Sequence, residues 1–157
     1  MGVKAFRGVA TLAVMSLAIA GCGNAASSSS ASVATDGSVV AVTLQEWAVL
    51  PSPASASAGE ITFQVTNDGP EDVHEFVILM TDLDPDALPT DDHGAVSEEG
   101  EGIEVIDEIE DIPVGETQEL AVTLEAGNYV LVCNIYDEGE DEAHYQMGMR
   151  TAFSVGE

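Results

Sequence analysis

Four residues in this sequence have side chains that could bind one transition-metal ion together. Cys133, His144 and Met149 lie close to one another near the C-terminus, and His74 lies far upstream. A thiolate, two imidazoles and a weakly bound thioether form a mixed set of soft and borderline ligands, which suits both Cu(I) and Cu(II). Each of these residue types is more often structural when it occurs alone, so the copper hypothesis depends on the combination.

The cysteine content of the chain supports a metal role for Cys133. The sequence contains two cysteines, and the other one, Cys22, ends a leader-like segment. A thiol left unpaired in an exported protein is open to oxidation, so it needs a partner chain, a reactive role or a metal.

The segments that must position these residues have the pattern of short strands. From residue 39 onward, apolar runs rich in Val, Ile, Thr, Phe and Tyr alternate with clusters of Gly, Pro, Asn and Asp, which is typical of strands joined by turns. We predict seven strands, at 39–47, 60–66, 75–81, 103–109, 117–124, 128–133 and 150–155. This spacing predicts an all-β sandwich or small barrel. Its expected core residues are Phe63, Val65, Phe76, Ile78, Leu131 and Phe153.

Three segments of the chain resemble the plastocyanin-like cupredoxins, the type 1 blue copper family. Asn67-Asp-Gly-Pro-Glu-Asp-Val-His74 is similar to their first-histidine loop, and Gly127-Asn-Tyr-Val-Leu-Val-Cys133 is similar to their cysteine strand. His144-Tyr-Gln-Met-Gly-Met149 resembles the segment that closes their copper loop. The resemblance covers residues 39–157 in the family's order. It implies a cupredoxin-like Greek-key β-sandwich or barrel of about seven to eight strands, with one type 1 copper ion per chain.

By this resemblance, His74, Cys133 and His144 are the strong equatorial ligands and Met149 is the axial ligand. Met147 is a competing thioether, although the family spacing favours Met149. The chain departs from the family in one respect, because ten residues separate the cysteine and the histidine where family members commonly have four. The acidic residues 137–142 account for the excess, and we expect them to loop out from an otherwise normal site.

A second acidic segment, near 82–111, is too long for a simple hairpin loop. It opens with Asp82-Leu-Asp-Pro-Asp86, which resembles a calcium-binding loop. However, Ala87 stands where that loop needs glycine and His93 stands where it needs glutamate. We therefore expect a solvated insertion, with a solvated His93. Trp47 and Tyr129 are expected in the core.

The N-terminus has the pattern of an exported lipoprotein. Basic residues precede an apolar run that is too short to span a bilayer, which needs roughly 20 residues. The run ends in Ile19-Ala20-Gly21-Cys22, which resembles the bacterial lipobox. We predict a signal peptide at 1–21, a lipid on Cys22, a flexible Ala/Ser-rich tether at 22–38 and the folded domain at 39–157. The protein should then lie on the outer face of the cell membrane or in the periplasm, and an ordinary cleaved signal is the alternative.

Charge and composition exclude several classes of function. The chain has a net charge of −26, and Arg150 is the only basic residue after the leader, so nucleic acid is not an expected partner. Three histidines cannot also build the second copper centre of a multicopper oxidase, and no hydrolase motif is present, so we do not expect an enzyme. The sequence favours a monomeric one-electron carrier with protein redox partners. A copper-delivery or storage protein and a metal-free adhesion module are the alternatives.

The lipobox prediction can be tested on the native protein. We expect the unmodified chain to partition with membranes, because the acylated Cys22 would become its N-terminus, and we expect Cys22→Ala to prevent lipidation. Mass spectrometry of the mature N-terminus measures the lipid directly. Unmodified protein found wholly in the culture medium would contradict the anchor.

Overall fold

The structure, a computed structural model, describes residues 37–157. The predicted signal peptide 1–21, Cys22 and most of the predicted tether 22–38 lie outside the described residues. Among the described residues, no helix has the length and apolar character needed to cross a membrane. The strands are β1 Ser38–Gln45, β2 Ala48–Ser52, β3 Ser55–Ser57, β4 Gly59–Asn67, β5 His74–Met80, β6 Glu104–Ile112, β7 Thr117–Leu124, β8 Gly127–Val132, β9 Tyr136–Asp137, β10 Glu142–Ala143 and β11 Arg150–Gly156. Two short helices, a 3₁₀ turn at Pro85–Ala87 and α1 at His144–Met147, complete the described part of the chain.

Two sheets contain most of the strands. The first has the order β2-β1-β4-β7, and the second has the order β3-β11-β8-β5-β6. Strand pairs are antiparallel except β1 with β4 and β3 with β11, which are parallel. Strands β9 and β10 form a separate small hairpin. The all-β fold class predicted from the sequence is confirmed.

The main core lies between the two sheets. Buried and exposed positions alternate along β1 and β4, as the two-residue period of a strand requires when one face is covered. The ring of Phe63 on β4 packs against Phe76 on β5 and Phe153 on β11, with centroid distances of 5.3 and 5.6 Å. All six predicted core residues are buried.

Strands β5 and β8 are covered on both faces, which the sequence analysis did not anticipate. Their outward-facing residues form a second buried cluster with apolar residues of the acidic segment and of α1. The members of this cluster are Val77, Leu79, Leu88, Val96, Val130, Val132 and Tyr145. The expectation of a solvated insertion is therefore wrong in part. Its acidic side chains are exposed, but Leu88, Ala95 and Val96 are buried against the sheet.

The acidic segment near 82–111 overlaps the strand predicted at 103–109, and the structure contains that strand. The last part of the segment, Glu104–Ile112, is the edge strand β6, which pairs with β5. Exposed acidic side chains along β6 protect this edge against pairing with other chains. The insertion that departs from a plain hairpin is thus confined to residues 81–103.

Strand β2 was missed because its sequence contains Pro51. Proline has no N–H to donate to a sheet, so it is tolerated mainly in edge strands. The structure places β2 at the edge of the first sheet, with Pro51 opposite Val42. The predicted strand 39–47 accordingly ends at Gln45, and Glu46 and Trp47 form a two-residue turn into β2.

The contact between the sheets predicts a large cost for losing one aromatic ring. Phe63→Ala should lower the free energy of unfolding by about 3–5 kcal/mol, because it leaves a cavity between Phe76 and Phe153. Leu50→Ala is the matched control, since Leu50 on β2 is 49% exposed, and its cost should stay within about 0.5 kcal/mol. Denaturant unfolding of both variants measures the difference. Similar costs for the two would contradict the packing described here.

Candidate metal centre

Three metal-binding side chains meet at one end of the sandwich. His74 opens β5, Cys133 directly follows β8, and His144 opens α1. The Nδ1 atoms of the two histidines are 3.3 Å apart, and Cys133 Sγ lies 3.9 Å from His74 Nδ1 and 3.3 Å from His144 Nδ1. All three side chains are buried. The structure therefore brings together three donors that are far apart in the sequence.

The size of this triangle fits a metal ion. A point equidistant from the three donor atoms lies about 2 Å from each, which is the range of metal–nitrogen bonds and slightly below that of metal–sulfur bonds. A set of one thiolate and two imidazoles suits copper or zinc. The donors thus surround a position that one such ion fits with only small adjustments.

Of the two candidate thioethers, Met149 is the one inside the protein. Its side chain is fully buried in the main core with Cys133, whereas Met147 is 41% exposed. The Met149 amide donates to the His144 carbonyl, and its own carbonyl accepts from the Cys133 amide, at 3.1 and 3.0 Å. The backbone of Met149 is therefore hydrogen-bonded to the backbones of both Cys133 and His144.

The loop that carries His74 is held by Asn67. The Asn67 side chain is fully buried; it donates to the carbonyls of Asp72 and Ile112 and accepts from the Gly69 amide, each at 2.8 Å. The Asn67 side chain thereby makes hydrogen bonds with three backbone groups. Asn67 fixes the position from which His74 enters the site.

Burial sets the protonation of the three donors. It raises the pKa of the Cys133 thiol to about 12, although a hydrogen bond from the Glu75 amide at 3.3 Å acts in the opposite direction. Burial also lowers the pKa of His74 and of His144. Both imidazoles therefore stay neutral at physiological pH, as metal ligation requires, and the thiol must lose a proton on binding.

Comparison with known proteins shows the fold. No family model and no curated protein matches the sequence. Among solved structures, reduced auracyanin from Roseiflexus castenholzii is similar with a TM-score of 0.54 and 19% identity, over 77% of this chain and 98% of that one. Auracyanin A, a "blue" copper protein from Chloroflexus aurantiacus, gives 0.50 and 20%, over 75% and 98%. An azurin from Methylomonas sp. strain J gives 0.51 and 20%, over 76% and 98%.

The chain has the cupredoxin fold. The predicted cupredoxin-like sandwich is thus confirmed, and the three donors lie at one end of it.

Within this cupredoxin fold, the insertion 81–103 packs on the loop from Cys133 to Met149, which we call the ligand loop. The Tyr145 hydroxyl donates to the Pro85 carbonyl at 2.8 Å and accepts from the Leu88 amide at 3.1 Å. Asn134 pairs with both backbone groups of Val96. The loop from Cys133 to Met149 is therefore supported from outside by the acidic insertion.

Arg150, directly after the ligand loop, also contacts both the insertion and Tyr145. Its Nε donates to Asp86 at 2.7 Å, its Nη1 donates to the Tyr145 carbonyl, and its guanidinium lies over the Tyr145 ring. The Arg150 guanidinium thus joins Asp86 of the insertion to Tyr145 of α1.

The extra residues of the ligand loop form the β9–β10 hairpin. Tyr136 pairs with Ala143 and Asp137 with Glu142. Residues 138–141 therefore form the turn, and the two ends of the hairpin lie side by side. The ring of His93, which is exposed as predicted, stacks on Tyr136 with a centroid distance of 4.5 Å.

Two residues of the centre were missed in the sequence. Trp47, predicted in the core, is half-buried beside the candidate donors, and its ring centroid lies 5.1 Å from that of His144 and 6.5 Å from that of His74. Glu46 Oε1 lies 3.7 Å from His74 Nε2. Their turn contains no glycine or asparagine, the usual signal of a two-residue hairpin. Tyr129 is buried as predicted.

The role of Asn67 leads to a stability prediction. Asn67→Ala removes three hydrogen bonds to the backbone, two of them buried, so the free energy of unfolding of the metal-free protein should fall by roughly 1–3 kcal/mol or more. Asn128→Ala is the control, because its side-chain bond to Asp82 is exposed. Urea unfolding of the two variants decides the matter, and an equal effect would contradict the role given to Asn67.

Proposed function

We propose that this protein is a one-electron carrier that holds one type 1 copper ion through His74, Cys133 and His144, with Met149 as the axial ligand. The observation that carries the proposal is the buried triangle of two Nδ1 atoms and one Sγ atom with sides of 3.3 to 3.9 Å. The similarity of the chain to auracyanin A, a "blue" copper protein, supports copper as the metal.

The donor set favours copper over a structural zinc ion. Structural zinc sites usually have four strong ligands in a tetrahedron. Here the described residues supply three strong donors in a closed group, and the remaining buried candidate is a thioether, which is a typical weak ligand of copper. A one-thiolate, two-imidazole site with an axial methionine suits both oxidation states.

A rigidly held site suits electron transfer better than metal delivery. The donors converge in a buried group, and their loops are held by Asn67 and by the insertion 81–103. Such a site needs little rearrangement when the oxidation state changes. A delivery protein instead needs a site that opens to release its metal, and the described contacts oppose opening.

His144 offers a route for the electron. It lines a surface hollow together with Val73, Ile135 and Tyr136, and acidic residues border the same hollow. A partner docked there would be separated from the metal by one imidazole ring. We propose that protein redox partners bind this side.

We further propose that the carrier is an exported monomer, anchored to the outer face of the membrane through lipid on Cys22. The lipobox-like sequence and the Ala/Ser-rich tether support this location. The scarcity of basic residues argues against a nucleic-acid partner.

The central experiment is to add Cu(II) to the purified metal-free protein. We expect an intense blue or green colour from thiolate-to-copper charge transfer, because Cys133 lies next to both histidines. Cys133→Ser should abolish the band. A colourless Cu(II) complex of the unmodified protein would remove the type 1 assignment.

Two methionine variants serve as matched controls for the axial ligand. Met147→Leu should leave the visible spectrum and the reduction potential unchanged, because Met147 is exposed. Met149→Leu should change both. The reverse pattern would assign the axial position to Met147.

The β9–β10 hairpin gives a further prediction. Deleting residues 137–142 joins Tyr136 to Ala143, whose Cα atoms are cross-strand partners and hence only about 4.5–5.5 Å apart, close to the 3.8 Å of bonded neighbours. The deletion keeps every proposed ligand and restores four residues between Cys133 and His144. We therefore expect the variant to bind copper with its charge-transfer band.

The same deletion should raise the reduction potential by tens of millivolts. Five acids are removed, and negative charge favours Cu(II). At about 10 Å and an effective dielectric of about 40, one charge contributes roughly 0.8 kcal/mol, which is about 35 mV before screening. Voltammetry at low and high salt should show a rise that shrinks with salt. Loss of copper binding would instead show that the hairpin belongs to the site.

A further inference from the structure

Glu46 occupies an unusual position for a carboxylate. It lies in the two-residue turn between β1 and β2, and its side chain is nine-tenths buried beside His74. Its Oε1 accepts hydrogen bonds from the amides of Glu71 and Asp72, at 3.0 and 2.8 Å. Those amides belong to the loop that leads into His74, so Glu46 helps to hold the loop that positions His74.

Two buried side-chain atoms among residues 37–157 lack a hydrogen-bond partner, and they belong to neighbouring residues. They are Glu46 Oε2 and His74 Nε2. The other carboxylate oxygen, Oε1, is 3.7 Å from His74 Nε2. This distance is too long for a hydrogen bond, but the terminal torsion of glutamate is broad, so the carboxylate can rotate at little cost. The Glu46 carboxylate, which has one unpaired oxygen, thus lies beside the unpaired ring nitrogen of His74.

The chemistry of the imidazole gives this pair a role. His74 directs Nδ1 at Cys133 and His144, so Nδ1 is the metal-binding atom. A neutral imidazole that ligates through one nitrogen carries its proton on the other. The proton of His74 must then be on Nε2, where a buried N–H requires an acceptor.

We propose that Glu46 accepts the hydrogen bond of His74 Nε2–H in the metal-bound protein and forms a carboxylate–histidine–metal triad. Glu46 is then a positioning residue. It orients the ring and places a buried negative charge beside the site, which favours Cu(II) over Cu(I). Such partners commonly change metal affinity about 10–100-fold. This inference rests on the proposed function.

A purely structural role, in which Glu46 only ties down the 71–72 loop, predicts something different. Glu46→Gln keeps a carbonyl oxygen for the two amides but removes the charge. Glu71→Gln is the matched control, because it removes one charge from an exposed side chain of the same loop. A structural role moves unfolding stability without moving the balance between Cu(II) and Cu(I).

The test measures reduction potential in the copper-loaded full chain. For Glu46→Gln we expect the Cu(II)/Cu(I) affinity ratio to shift about tenfold toward Cu(I), equivalent to about 59 mV for one electron. The shift should persist at high salt, because buried pairs are screened less than exposed ones. Glu71→Gln should give a smaller shift that salt removes. Equal, salt-sensitive shifts in the two variants would overturn the proposal.

A second readout does not depend on any variant folding. In the diamagnetic Cu(I) form of the unmodified protein, NMR should show a slowly exchanging proton on His74 Nε2. Rapid exchange of that proton would overturn the proposal even if Glu46→Gln fails to fold. If the unmodified protein forms no thiolate–copper complex, the proposed function fails and this inference fails with it. A blue protein that is indifferent to Glu46→Gln removes the inference alone.

Discussion

The structure depends on one constraint, which is that two imidazoles and one thiol must converge inside the protein from three separate elements. Burial keeps both histidines neutral and raises the pKa of Cys133 to about 12. A buried polar group without a partner costs stability, so the site is favourable only when something occupies it or each group is paired. The three side chains come from the start of β5, the residue directly after β8 and the start of α1. The Asn67 loop and the backbone ties of Met149 hold them there.

The two acidic additions to the chain have different physical roles. The insertion 81–103 contributes Leu88 and Val96 to the outer face of the second sheet and hydrogen-bonds the ligand loop through Tyr145. It is therefore part of the support of the site. The β9–β10 hairpin instead closes on itself through two residue pairs and presents its charge at the rim. One addition stabilises the geometry, and the other acts on the site through its electric field.

The alternating pattern of the strands made much of the fold predictable. Strand β7 has the predicted bounds, and Phe63, Phe76 and Phe153 meet as expected between the sheets. The ligand types could be predicted because their chemistry is rare in combination. Strand β2 and the Glu46–Trp47 turn could not, because Pro51 resembles a turn signal and the real turn has none. The second covered face was not predicted, although a continuous apolar run such as that of β5 is typical of a strand buried on both faces, and nothing in the sequence identified Leu88 and Val96 as its cover.

X-ray absorption at the copper edge of the loaded protein measures the ligands themselves and so tests the central claim most directly. The account predicts one ion per chain with two nitrogen ligands and one short sulfur ligand, at distances near 2 Å that match the triangle of His74, His144 and Cys133. The sulfur ligand should disappear in Cys133→Ser. A copper ion coordinated only by nitrogen and oxygen in the unmodified protein would contradict the account.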